Sequence, residues 1–235
     1  MEIQVAVAKV SQYAVPQGSD LLEMIERPNG GLSVVLADGG SHKRSISMLV
    51  VRQVIALLAE GVRDGAAARA ASDTLFTVHQ GQVTCALTIA SIDFLTNTLV
   101  LTRNNPTPVY ISREAHVDCL SEECLPLGGS RNVRPVVSEI PLEPGLMVII
   151  FSDGLFNAGK QLGRPMDACM LIQSLLEDQE PSPQEMADAL LAHAILLDDH
   201  RPADDMSVVV IHVLARKGDD VRRLNVRLPF NLSGN

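Results

Sequence analysis

The sequence predicts an α+β fold in which two antiparallel β-sheets pack together with helices outside. Three observations carry this. The strand-like and helix-like segments run as strands, two helices, more strands, two helices and a last strand, without the βαβ alternation of a parallel doubly wound sheet. At 235 residues with 46% hydrophobic side chains, the chain holds enough apolar material for one sizeable core, and we assign residues 1–216 to a single domain. Aromatic residues make up only 3% and Trp is absent, so Val, Leu, Ile, Ala and Met must fill that core.

The elements follow in order. IQVAVAKV (3–10) and GLSVVLAD (31–38) are short β-like runs, expected as two strands of one antiparallel sheet with LLEMIER between them as a third. Pro16, Gly18, Pro28, Asn29, Gly30 and Gly31 punctuate the connections. Ile46, Leu49, Val50, Ile55, Leu57 and Leu58 recur at helical spacing, which predicts a helix over 45–60, and a second is predicted over 64–79. TCALTIASID (84–93), TLVLTRN (98–104) and PVYIS (108–112) read as a β-meander. A Pro- and Gly-punctuated stretch over 122–144 leads to GLMVIIFSD (145–153), whose apolar run ends on Asp153. Helical spacing returns over 166–178 and 183–199, the latter opened by Ser182 as N-cap with Glu185 as its capping-box partner. SVVVIHVLAR (207–216) is the last strand. The tail, 217–235, alternates in VRRLNVRLPF, as an extra edge strand, a partner-binding strand or a disordered tail would; a homodimer contact is one use for it.

Composition excludes several functions. A formal charge of -9 opposes a nucleic-acid partner, and the aromatic platforms on which single strands stack are missing. Cys85, Cys119, Cys124 and Cys169 show no CxxC pairing, which disfavours structural zinc and a disulfide framework; Cys85 and Cys169 sit in apolar runs that read as buried. No signal peptide or membrane-spanning run is present, and a cytoplasmic protein is expected.

Three motifs place an Asp at one end of a buried apolar strand: GLSVVLADGG, MVIIFSDGL and ADDMSVVVI. Asp commonly ends strands in turns, so any one of them alone signifies little. Antiparallel strands would bring Asp38, Asp153 and Asp204 to one edge of one sheet, and hard oxygen ligands suit Mg2+ or Mn2+ better than zinc or copper. No GxSxG, activated Cys or Walker-type loop offers a nucleophile.

In its motifs the chain resembles the metal-dependent PPM protein phosphatases, and among them the bacterial SpoIIE-type branch, from about Gly18 to Leu214. The resemblance rests on Gly18-Ser19-Asp20, Val35-Leu36-Ala37-Asp38, CALTIASIDFLTNTLVLTRNNPTPVYI, LPLGG, LEPGLMVIIFSDGLFNA and DDMSVVVI. It implies a four-layer αββα sandwich and two divalent cations, Mn2+ or Mg2+. In that scheme Asp38 bridges them, the Gly39 carbonyl binds one, Asp153 and Asp204 complete the protein ligands, Asp20 binds beside or through a water, and Asp205 orients the site. Such a pair of ions, about 4 Å apart, acidifies water for in-line attack on a phosphate ester. The resemblance further implies a phosphorylated protein substrate bearing phosphoserine or phosphothreonine, such as an anti-sigma-factor antagonist or stressosome-like protein. The loop after Asp38 departs from the branch: Ser41-His42-Lys43-Arg44-Ser45 stands where the family has GlyHisGly and small residues. Here His42 is a candidate proton donor to the leaving oxygen, and Lys43 and Arg44, at a helix start, are candidates to bind substrate phosphate. Asn104-Asn105-Pro106, in place of GlyHisPro, reads as a turn. A binding module without turnover and a small-molecule phosphatase are the competing readings.

Overall fold

A computed structural model describes residues 1–15, 17–40, 44–113, 116–178, 180–215 and 221–227. His42 and Lys43 lie outside the described residues. The strands are β1 (Glu2–Val10), β2 (Leu21–Glu26), β3 (Leu32–Asp38), β4 (Ala86–Asp93), β5 (Thr98–Asn104), β6 (Val109–Arg113), β7 (His116–Leu120), β8 (Val136–Pro141), β9 (Met147–Phe151) and β10 (Met206–Leu214). The α-helices are α1 (Arg44–Ala59), α2 (Asp64–His79), the single-turn α3 (Asp153–Phe156), α4 (Ala168–Asp178) and α5 (Pro183–Leu197).

Two five-stranded antiparallel sheets form, ordered β1-β10-β9-β6-β7 and β2-β3-β4-β5-β8. Between them lies an apolar layer in which Leu36, Ala90 and Leu101 of the β3 sheet share a cluster with Ile111, Val148 and Val209 of the β10 sheet. On the outer face of the β3 sheet, Val50, Leu58, Ala71 and Leu75 of α1 and α2 cover Val35, Leu87 and Ile89. On the outer face of the β10 sheet, Ile172, Met186 and Leu190 of α4 and α5 cover Ile149, Phe151 and Val210. The result is the expected four-layer αββα sandwich. Because β3, β9 and β10 are buried on both faces, their sequences read as unbroken apolar runs rather than as alternation.

Strand partnership departs from expectation in two places. β1 pairs along its whole length with β10, not with β2 or β3. Ten residues separate β1 from β2, far more than a tight hairpin needs, so the chain crosses between sheets. Similarly, β4 and β5 form a hairpin but β6 leaves for the other sheet, pairing with β9 and β7, so the meander ends at Asn104. β7 and β8 emerge as outermost strands that the sequence did not announce. Of the cysteines, Cys85 is buried and Cys169 only partly so. Residues 221–227 belong to no strand; Arg222 there forms an exposed ion pair with Glu26 at 3.3 Å. Among the described residues, no helix is long and apolar enough to cross a membrane.

α5 begins on the predicted capping box. Ser182 Oγ accepts from the Glu185 N–H at 3.3 Å, and the Glu185 carboxylate accepts from the Ser182 N–H at 2.8 Å. Ser182→Ala should therefore cost about 1 kcal/mol of unfolding free energy, read from urea denaturation; an unchanged midpoint would show that this cap contributes nothing.

Candidate metal centre

The three strand-end aspartates lie at one end of the sandwich, but they do not come from one sheet. Asp38 ends β3, whereas Asp153 follows β9 and Asp204 precedes β10, both in the opposite sheet. The site therefore lies at one end of the sandwich, with carboxylates supplied from both layers. The expectation of one sheet edge failed for the same reason as the β1 assignment: an apolar run reveals burial and not which strand lies beside it.

Local chemistry holds each acid in place. Asp38 turns back on its own loop, its Oδ1 accepting from the Gly40 N–H at 2.6 Å, and Gly40 has φ +55°, a conformation glycine adopts without steric cost. Ser19 Oγ stands 3.4 Å from the same oxygen. Asp20 Oδ2 accepts from Ser207 Oγ at 2.6 Å. Ser207 is tied in turn to Ser152, whose Oγ accepts from the Ser207 N–H at 2.9 Å. Asp204 Oδ1 accepts from the Asp205 N–H at 2.8 Å.

Asp205 organises the loop between β1 and β2. Its carboxylate accepts from the Gln12 N–H at 2.7 Å, from the Asp20 N–H at 3.2 Å, from Ser19 Oγ at 3.0 Å and from the Ser19 N–H. Gly18 is needed because the carboxylate packs directly on it: a Cβ there would collide with the Asp205 side chain. Gly154 has a related reason to exist. A Cβ on it would meet the Asp205 carbonyl oxygen and stand 3.0 Å from Asp204 Cβ, so the glycine lets the turn after Asp153 approach the segment before β10. Gly154→Ala should push those segments apart and lower Mn2+ affinity at least tenfold, measured by calorimetry; an unaltered affinity would disconnect that contact from the site.

Uncompensated negative charge marks the edge. Burial, followed by repulsion from Asp38, pushes the Asp20 carboxyl up to about 8. The same two causes, in the same order, push Asp153 up to about 7. Asp204, at the exposed rim, is raised by partial desolvation and by Asp38. Asp20 Oδ1 and Asp153 Oδ1 are buried without a hydrogen-bond partner among the described residues. Orphaned hard oxygens repelling one another fit a divalent cation. No three His, Cys, Asp or Glu side chains among the described residues close around a single point. That arrangement still suits Mg2+ or Mn2+, since such ions keep several waters and take one or two carboxylates each.

Around the acids, Arg44 donates from Nη1 to the Gly18 carbonyl at 3.3 Å, which sets the first residue of α1 beside the Gly18–Asp20 loop. Asn105 forms the predicted turn, its Oδ1 accepting from the Thr107 N–H at 3.0 Å, and it also does something the sequence did not signal. Its Nδ2 lies 3.3 Å from Thr88 Oγ1 and 3.5 Å from the Phe151 carbonyl, linking β4 of one sheet to β9 of the other near Asp153. Ser152 and Ser207 were likewise unforeseen, because serines beside apolar runs carry no distinctive spacing.

The phosphatase domain of the cell-fate determinant SpoIIE from Bacillus subtilis, solved with a fragment of its regulatory domain, superposes with a TM-score of 0.79 at 21% identity, over 91% of this chain and 64% of that one. The RsbU and RsbW domains of a Mycobacterium tuberculosis protein give 0.72 at 17% identity, over 92% and 61%. The fold is thus that of the PP2C-like, or PPM, serine/threonine phosphatase domains. The profile of the Stage II sporulation protein E (SpoIIE) family matches residues 28–214, and the chain belongs to that family. Stage II sporulation protein E of Priestia megaterium is 24% identical over 197 residues, which are 81% of this chain but 33% of the relative, so the chain spans about a third of that protein.

Proposed function

We propose that this carboxylate edge binds two divalent cations, Mn2+ or Mg2+, and that the chain hydrolyses phosphoserine or phosphothreonine on a partner protein in bacterial signalling, an anti-sigma-factor antagonist or stressosome-like protein. The observation that carries the reading is the pair of buried, unpartnered oxygens on Asp20 and Asp153 beside Asp38. When bound, such cations acidify water and offset charge on the phosphoryl oxygens. The chain's own work is positional. Asp38, Asp153, Asp204 and the Gly39 carbonyl hold the ions, Asp20 lies beside them, and Asp205 fixes the loop that carries Asp20. Arg44, anchored to the Gly18 carbonyl, and Lys43, next to it in sequence, are assigned to bind the incoming phosphate by their charge. His42 is assigned proton donation to the leaving oxygen. The protein substrate is supported by membership of the SpoIIE family and by the likeness to a structure described as RsbU and RsbW domains.

Phosphate release from a phosphoserine peptide, with MnCl2 and with EDTA, tests this. Release that requires Mn2+ is expected. Metal binding without release would make the chain a binding module, and preference for metabolite phosphates over phosphopeptide would make it a small-molecule phosphatase. Replacing Lys43 and Arg44 together by Ala should raise KM for the peptide; an unchanged KM removes their phosphate-binding role.

A further inference from the structure

Away from the carboxylates, a groove of about 610 Å3 runs where α2 passes over the start of β8, lined by Arg69, Asn132, Arg134, Pro135 and Val137. Gly65, in the first turn of α2, lies against three of the lining residues: a Cβ there would sit 3.6 Å from Pro135 Cγ, 3.7 Å from Arg69 Nη1 and 3.8 Å from Val137 Cγ2. Among the described residues, the side chains of Arg69 and Arg134 form neither an ion pair nor a hydrogen bond. Arg131 nearby is occupied, stacked 5.3 Å from the centroid of the Phe76 ring. On a chain of formal charge -9, two unengaged guanidinium groups line one groove, and none of the five residues lining it is acidic.

The backbone beside the groove is also unsatisfied. β8 is the outermost strand of its sheet, so one side of it presents N–H and C=O groups to any strand laid alongside. Val137 on that strand, an apolar side chain lining the groove, is 50% exposed. Backbone pairing, two bidentate donors and an apolar contact together describe a site for an extended peptide carrying carboxylates.

We propose that this groove docks an acidic, extended segment of the phosphoprotein substrate, a proposal that rests on the phosphatase reading and deepens it. A polyanionic nucleic acid would meet repulsion from the rest of the acidic chain, whereas a short acidic segment meets only the groove. Placement agrees with substrate docking. The register Leu36↔Thr88↔Arg103↔Val136 shows that the start of β8 lies at the same end of the sheet as Asp38, three strand spacings away. At about 4.8 Å per spacing this is roughly 14 Å, which four or five extended residues span. Two carboxylates that meet the two arginines therefore fall about five residues from the phosphorylated residue.

Two measurements decide it. Fluorescence anisotropy with a fluorescein-labelled, unphosphorylated twelve-residue peptide bearing Glu at alternate positions needs no turnover. The full chain should bind it, the Arg69→Gln/Arg134→Gln double variant should bind at least tenfold more weakly while melting as the parent does, and a peptide with Ser for Glu should not bind. Separately, the double variant should raise KM about tenfold for a phosphoserine peptide with a Glu pair five residues away, leaving its kcat and p-nitrophenyl phosphate hydrolysis unchanged. Equal binding of the Glu and Ser peptides, equal binding by parent and variant, or arginine-dependent binding of an oligonucleotide in place of the peptide overturns the proposal. Failure of both proteins to hydrolyse p-nitrophenyl phosphate with Mn2+ would count against the phosphatase reading alone, and the anisotropy would still decide whether the groove takes acidic peptide.

Discussion

Replacing Asp153 with Asn is expected to lower kcat/KM for Mn2+-dependent phosphate release on the order of a thousandfold while leaving the fold intact. The size follows from the chemistry proposed: a cation deprived of a ligand loses several kcal/mol of transition-state stabilisation, and about 1.4 kcal/mol is a factor of ten. The intact fold follows from electrostatics. Asp153 Oδ1 is buried without a partner and its carboxyl is pushed up to about 7 by burial and by Asp38, so in the metal-free protein its ionised form is a burden. Asn keeps the shape and discards the charge. In EDTA the variant should melt at or above the parent's temperature. Turnover that persists at the parental rate, with parental Mn2+ dependence, would remove Asp153 from the ligand set.

The metal-free protein should also lose stability as pH rises from about 4 to about 8. Asp20 and Asp153 move from an ordinary value of 3.8 to about 8 and about 7 in the folded chain. Between those limits the folded form holds protons that the unfolded form has released, so the slope of unfolding free energy against pH is negative. The contribution is complete below about pH 4, falls through 7 and 8, and then levels off. Saturating Mn2+ should reverse the trend, because a cation competes with those protons and binds more tightly as they leave. Thermal melts in EDTA and in MnCl2 across that range provide the check. An Asp20→Asn/Asp153→Asn double variant should flatten the EDTA curve; a slope as steep as the parent's would locate the proton uptake elsewhere.

Much of this architecture was legible because its signals are local. α2 spans the predicted 64–79, and the capping box at Ser182 and Glu185 is visible as three-residue spacing. The two packed sheets with helices outside followed from the order of strand-like and helix-like segments along the chain. What escaped depends on distant parts of the chain. β7, His116–Leu120, is short and carries exposed His116, Asp118 and Cys119, while β8 follows Pro135 and ends on Pro141, residues that ordinarily mark turns. Within the site, the acids were visible as strand ends, yet the contacts that hold them were not. Asp205 reaches Ser19 across 186 positions of sequence, and nothing in either residue's neighbourhood encodes that meeting. The glycines gave a partial signal: Gly18 and Gly154 stand beside acids, but only the packing shows that each yields space to Asp205.

The origin of Asp38 in one sheet and of Asp153 and Asp204 in the other has a mechanical consequence. The spacing of the acids doubles as a gauge of how the two layers are aligned. Sliding one layer over the other by an ångström would leave every strand ladder intact, yet would detune the carboxylates, and misplacement of that size can cost about a hundredfold in rate. A partner pressing on α1 and α2, or on α4 and α5, would then act as a hand on a vernier, setting the spacing of the carboxylates from the outer surface without touching them.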